Sequence, residues 1–142
     1  MLPLLRTFVV EDSPVIRENL VATLEELLPL KVVGTAEDEA SAVEWLCAPG
    51  NGCELGIIDI FLKRGTGLGV LKAVRQANTE LKLVVLTNFA TPEMRAACIE
   101  LGADEVFDKS NDIEALIHYC ARLAASRHDA GDNGAAAHDP AH

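Results

Sequence analysis

Short apolar runs alternate along the chain with stretches whose apolar residues recur every three or four positions. Leu5 to Val10, Lys31 to Ala36, Leu55 to Phe61, Leu81 to Leu86 and Glu105 to Phe107 are the runs. Runs this short, bounded by turn residues, predict strands buried on both faces, as in a parallel sheet. Helical spacing fills the intervals. Ser13 can cap the first helix and Pro14 suits its first turn, where a missing N–H costs nothing. Ile16, Leu20, Leu24, Leu27 and Leu28 then form one apolar face, and Pro29 ends it.

A second helix spans Glu39 to Cys47, with Ala40, Val43, Leu46 and Cys47 directed inward, and Pro49-Gly50-Asn51-Gly52 is a loop by its turn chemistry. Leu68, Leu71, Val74 and Arg75 mark a third helix. Thr91-Pro92 repeats the cap-then-proline signal for a fourth that ends at Leu101, with Gly102 placed for a left-handed turn. Asp112 is the expected cap of a fifth, carrying Ile113, Leu116, Ile117, Cys120 and Leu123. Five alternating strands and helices predict an α/β fold, a five-stranded parallel sheet with helices on both faces. From Arg127 the periodicity ceases in favour of Ala, Gly, Asp and His, so residues 1–126 read as one domain and 127–142 as a disordered tail.

Composition narrows the picture. A chain of 142 residues suffices for one domain with a real core. Twelve basic against 22 acidic residues give a net charge of −10, which disfavours binding to nucleic-acid backbones. No apolar stretch approaches membrane-spanning length, and the start Met1 to Arg6 lacks a signal peptide's basic-then-apolar order, so the expectation is cytoplasmic. Cys47, Cys53, Cys98 and Cys120 show no Cys-x-x-Cys spacing and read as free, buried thiols.

The chemistry collects at the strand ends. Strand one delivers Glu11 and Asp12, strand three Asp59, strand four Thr87, and Lys109 follows strand five. In a parallel sheet these ends share one edge, the edge where such folds bind ligands. Three crowded carboxylates repel one another unless a cation stands among them, and oxygen ligands at a shallow, hydrated site favour Mg2+ over Ca2+. Lys109 adds a fixed positive charge and Thr87 a hydroxyl. Together they equip the edge for phosphoryl transfer to a carboxylate.

Val9-Val10-Glu11-Asp12-Ser13, Ile57-Ile58-Asp59, Leu86-Thr87 and Gly102-Ala103-Asp104 leading to Lys109 stand in an order that resembles the receiver domain of two-component response regulators. The resemblance covers roughly residues 5–125 and implies flavodoxin-like strand order 2-1-3-4-5; with a tail too short for a helix-turn-helix domain, the expectation is a stand-alone, single-domain receiver. It implies Asp59 as phosphoacceptor, Mg2+ held by Asp12, by Asp59, by Glu11 through water and by the main-chain carbonyl of Phe61, and a phosphoryl group bound by Thr87 and Lys109. Such a domain catalyses only its own phosphorylation and dephosphorylation. Its implied partners are a sensor histidine kinase or phosphotransfer protein and a downstream protein target. A homodimer through the face between the fourth and fifth helices is a further expectation, with no direct nucleic-acid or membrane contact.

The chain also departs from that family. Val106 stands where a switch aromatic is usual, Ser110 where proline often follows the lysine, Lys63-Arg64 where the loop after the acceptor often carries proline, and Asn88 where a small residue commonly follows the threonine. Val106 and Ser110 favour the alternative of a degenerate receiver that docks proteins without phosphorylation, whereas the complete set Asp12, Asp59, Thr87 and Lys109 favours the switch. Phosphohydrolases of the haloacid dehalogenase type need an aspartate two positions beyond the nucleophile, where this chain has Phe61. Nucleotide or flavin binders of flavodoxin type want a Gly- or Ser/Thr-rich anion loop after strand one, where it has Glu11-Asp12. Phe61 and Phe89 each lie two residues beyond a site residue. Rings leaning over an acyl phosphate would exclude the attacking water and prolong the phosphoryl state.

Overall fold

The computed structural model describes the backbone of residues 3–137 and the side chains of residues 3–126. Five strands alternate with five helices: β1 Leu5–Val10, α1 Pro14–Leu27, β2 Leu30–Ala36, α2 Glu39–Cys47, β3 Leu55–Ile58, α3 Gly67–Ala77, β4 Lys82–Thr87, α4 Pro92–Glu100, β5 Glu105–Asp108 and α5 Ile113–Ala137. The sheet is wholly parallel, in order β2-β1-β3-β4-β5, so the flavodoxin-like arrangement expected from the sequence is the one found. α5 runs past residue 126, where the tail was expected to begin; residues 138–142 of that tail lie outside the described residues.

Period-two alternation along the strands sorts the core into two layers. Phe8, Val10, Ile58, Leu83, Val85 and Val106 join Ala42, Leu46, Val70, Leu71, Val74 and Cys98, from α2, α3 and α4, on one face. Leu5, Val9, Leu55, Ile57, Val84, Leu86 and Phe107 meet Leu24, Leu116 and Cys120, from α1 and α5, on the other. The central strands β3 and β4 are buried almost throughout, whereas the edge strand β2 keeps Lys31 and Thr35 exposed.

Caps fall where expected. Ser13 Oγ accepts the Ile16 N–H, and Thr91 Oγ1 accepts the Met94 N–H. Gly102 adopts φ +114°, a conformation that a side chain would strain. The carboxylate of Asp112 turns back to the Asp108 N–H and to Arg95.

Three helix faces differ from the periodicity reading. Leu24 and Leu28, four residues apart, face the sheet, while Ile16 and Leu27 are 43% and 58% exposed at either end of α1. On α2, Ala42 and Leu46 form the inward pair and Ala40 is exposed, because a helix starting at Glu39 turns Ala40 away. Val70, unmarked in the pattern, is fully buried. The four cysteines are free; Cys98 and Cys120 are buried, Cys47 and Cys53 half-buried. Among the described residues no helix is long and apolar enough to cross a membrane.

Candidate functional site: an acidic cleft at the carboxyl edge of the sheet

The parallel register brings the ends of β1, β3 and β4 and the residue after β5 to one edge. Val10 pairs with Ile58, and the Asp59 N–H donates to Val10 O at 3.0 Å, so Glu11-Asp12 and Asp59 leave the sheet side by side. Thr87 pairs with Asp108, and the Lys109 N–H donates to Thr87 O at 2.9 Å. The two halves then meet through side chains. Lys109 Nζ lies 2.6 Å from Glu11 Oε1 and 3.2 Å from Asp59 Oδ2. Carboxylate oxygens of Glu11, Asp12 and Asp59 all lie within 4.8 Å of one another.

Burial decides the electrostatics. Glu11 is 3% exposed, Asp59 7% and Thr87 0%, whereas Asp12 is half-buried. Burial raises the Asp59 carboxyl above its ordinary value; Lys109 pulls it down, Glu11 pushes it up, and a hydrogen bond from the Phe61 main chain lowers it. Burial alone would lower the Lys109 ammonium, but the hydrogen bond to Glu11 and the charge of Asp59 outweigh it and leave it raised. Lys109 is therefore a fixed cation between two acids. A divalent ion fits the same donors: three carboxylates converge, and one fixed ammonium does not neutralise them.

The surrounding chain holds these groups in place. Glu11 Oε2 accepts the Ser13 N–H, and Arg17 donates to Glu11 O at 2.9 Å while pairing with Glu37 at 3.2 Å. Beyond Asp59 the loop is pinned at both ends: the Gly67 N–H donates to Ile60 O, and Phe61 bridges to Thr66. A Cβ on Gly67 would stand 2.2 Å from Asp59 O, so only glycine lets α3 start against the acceptor strand. Glu39, from α2, accepts the Thr66 N–H and fixes the same loop from outside. Sequence reading gives Arg17 and Glu39 no part in the site and takes Gly67 only as one glycine of the segment that follows the Asp59 strand. Their signals were present but weak: Arg17 lies one helical turn beyond the Ser13 cap, and Gly67 closes the Arg64-Gly65-Thr66-Gly67 run.

Thr87 Oγ1 accepts the Phe89 N–H at 3.2 Å, which draws the loop after β4 over the cleft. The cleft has a volume of about 210 Å³ and is lined by the acids, Lys109, Ile16, Asn88, Phe61 and Phe89. The two phenylalanine rings touch edge to face, with centroids 4.9 Å apart. Val106 is buried against the α4 side of the sheet, and Arg95 of α4 donates to its carbonyl at 2.8 Å and to Asp112 at 3.3 Å. Ser110 donates its N–H to Asp108 Oδ1 at 2.7 Å, a bond that proline could not make.

Glu11, Asp12, Asp59 and Lys109 thus line one cleft, while Thr87, fully buried at the end of β4, meets its rim only through the hydrogen bond from Phe89. The chain is 30% identical over 123 residues to a probable transcriptional regulatory protein of Picosynechococcus sp., covering 83% of this chain and 48% of that one. It spans about half the length of such curated relatives. Its fold is that of a Burkholderia pseudomallei response regulator solved with a phosphorylated aspartic acid, calcium and citrate (TM-score 0.71, 21% identity, 85% of this chain and 69% of that one). It is also that of the Borrelia burgdorferi CheX-CheY-BeF3-Mg complex (TM-score 0.74, 16% identity, 88% and 90% covered). The family model described as the response regulator receiver domain matches residues 7–121, and the chain belongs to that family.

Proposed function

We propose that the domain is a phosphorylation-dependent switch that takes a phosphoryl group onto Asp59 from a sensor histidine kinase or phosphotransfer protein. The observation that carries this reading is Lys109 held between Glu11 and Asp59 beside a third carboxylate. An Asp59 oxygen would attack phosphorus while the bond to the donor breaks, and no proton need leave the carboxylate first when it is ionised. Lys109 and Thr87 would bind the phosphoryl oxygens as charge moves onto them. Asp12, Asp59, Glu11 through water and the Phe61 carbonyl would hold Mg2+. The bound ion would supply further neutralisation of phosphoryl charge.

Negative charge at Asp59 would draw Thr87 inward and bias the face between α4 and α5, where a separate protein target or a second copy of the chain would read the state. With Val106 in place of a swinging ring, the Arg95 contacts to the carbonyls of Ala90 and Val106 and to Asp112 are the proposed link between the loop after Thr87 and that face. A cytoplasmic setting and the absence of direct nucleic-acid contact by this domain are parts of the same proposal. The Phe61–Phe89 pair at the cleft mouth supports a slow loss of the phosphoryl group through exclusion of water. In Phe61→Asn with Phe89→Glu, decay should quicken by about tenfold for each ~1.4 kcal/mol of lost shielding. Unchanged decay in that pair of substitutions would remove the shielding idea.

The deciding experiment is incubation with Mg2+ and acetyl phosphate, followed by intact-mass measurement. A gain of one phosphoryl group that disappears in Asp59→Ala supports the switch. The buried Val106, which has no ring to swing outward, favours a second reading, a docking module indifferent to phosphorylation. Absence of any mass gain, together with no heat of Mg2+ binding by calorimetry, would decide for that reading.

A further inference from the structure

α3 begins with a cap that lacks one group of its own. Thr66 is the N-cap, and its Oγ1 accepts the Gly69 N–H at 3.1 Å. In the reciprocal form of such a cap, the residue at that third helical position is Glu or Gln and reaches back to the N–H of the capping residue. Gly69 has no side chain to send. The Thr66 N–H donates instead to Glu39 Oε1 at 2.9 Å, a carboxylate supplied by another helix. Glu39 is the first residue of α2, and its own N–H donates to Arg64 O at 3.1 Å. Glycine builds the socket for this side chain. A Cβ on either Gly65 or Gly69 would collide with Glu39, and at both positions the nearest atoms are those of Glu39. Gly65 also takes φ +79°, which a side chain would strain.

Resting on the Mg2+ site proposed above, we propose that Glu39 is a positioning residue for that site, completing the α3 cap from α2 and so holding the Phe61 carbonyl ready for the cation. The path is short and made of main chain. Thr66 bridges to Phe61, and the Gly67 N–H donates to Ile60 O at 2.8 Å, so the loop closes back on the two residues that follow Asp59. A loop free at its Thr66 end would have to be ordered when the ion binds, and that entropy would be subtracted from the affinity. Glu39 removes the freedom beforehand. Its charge also stands at the N-terminal end of α3, where the helix dipole favours an anion. Ala42 and Leu46 seat α2 on the sheet, which leaves the carboxylate at its first residue available for this task.

The test moves the glutamate from one side of the socket to the other. Calorimetry reads Mg2+ affinity in the unsubstituted protein, in Glu39→Ala, in Glu39→Gln and in Glu39→Ala with Gly69→Glu, and thermal melting checks that each folds. Glu39→Ala should weaken Mg2+ binding about tenfold, the lower end of what losing the group behind a metal ligand costs. Glu39→Gln keeps an oxygen that accepts the Thr66 N–H and should stay within about twofold of the unsubstituted protein. The double substitution supplies the glutamate at the third helical position and should recover most of the loss. A lower melting point in Glu39→Ala with unchanged Mg2+ affinity overturns the proposal, because the carboxylate would then only join α2 to α3. Equal weakening in Glu39→Ala and Glu39→Gln overturns it too, since charge and not the hydrogen bond to the loop would be acting. No heat of Mg2+ binding by the unsubstituted protein would overturn the metal site and this inference with it. That failure is told apart because it appears before any substitution is made.

Discussion

At the amino end of the sheet Arg75 gives its guanidinium to the main chain, donating to Gly102 O at 2.6 Å and Leu81 O at 2.7 Å and pairing with Asp104 at 3.1 Å. At the carboxyl end Lys109 lies between two carboxylates and holds no loop by its side chain. The first cation closes loops: Asp104 in turn accepts the Leu83 N–H, so α3, β4 and the turn before β5 are tied through one side chain. The second leaves an acidic cluster under-neutralised. Charge that satisfies carbonyls stabilises a fold, and charge concentrated without enough partners stores capacity for a ligand. The Gly102 contact shows the same economy of space, since a Cβ there would stand 2.7 Å from the Arg75 side chain.

The largest break in this comparison is Lys109→Ala. Two buried carboxylates would lose their fixed cation, and phosphorylation of Asp59 by a small donor should slow by about 100-fold, the scale of one lost oxyanion-type contact. Urea denaturation at neutral pH should also show a loss, because two buried carboxylates are left without their cation, and this loss should shrink as pH falls and Asp59 takes up its proton. Arg75→Ala leaves at least two carbonyls and Asp104 without their donor and should cost about 2–3 kcal/mol, with phosphorylation retained in the folded fraction. If Arg75→Ala slowed phosphorylation in the folded fraction as much as Lys109→Ala does, the division between a structural end and a chemical end would be wrong.

The architecture was legible because period and turn chemistry agree. Apolar runs bounded by Ser13-Pro14, Thr91-Pro92 and Gly102 admit few alternatives to a parallel sheet, and register then places the strand-end residues without further information. Glu11, Asp12, Asp59, Thr87 and Lys109 were legible for that reason. Residues that act through main-chain geometry were not. Gly67 matters because its missing Cβ clears Asp59 O, and Glu39 matters because its carboxylate reaches the Thr66 N–H across 27 positions of sequence. Neither fact has a periodic trace. Helix phase was the other weak point, as with Ala40 and Ala42: on an alanine-bearing amphipathic turn the pattern leaves the phase open by a residue or two.

The smallest effect tests whether the acidic end is destabilised in its unliganded form. Burial raises the Asp59 carboxyl above the ordinary carboxylate value despite the nearby Lys109. A folded-state pKa raised above the unfolded one means that the native protein binds the proton more tightly. The stability this gives is fully present below the unfolded value and is lost as pH rises through the folded one. Asp59→Asn removes that titration, while Lys109 keeps Glu11 as a partner at 2.6 Å. In metal-free buffer the variant should therefore melt higher than the unsubstituted protein at neutral pH, by roughly 3–5 °C if the burden is about 1 kcal/mol. The gap should narrow as pH falls through the raised Asp59 value and close near the ordinary carboxylate range. Calorimetric melting points at several pH values measure it, and a gap of opposite sign at neutral pH would mean that Asp59 is held by Lys109 as a stabilising partner, in the manner of Asp104 with Arg75.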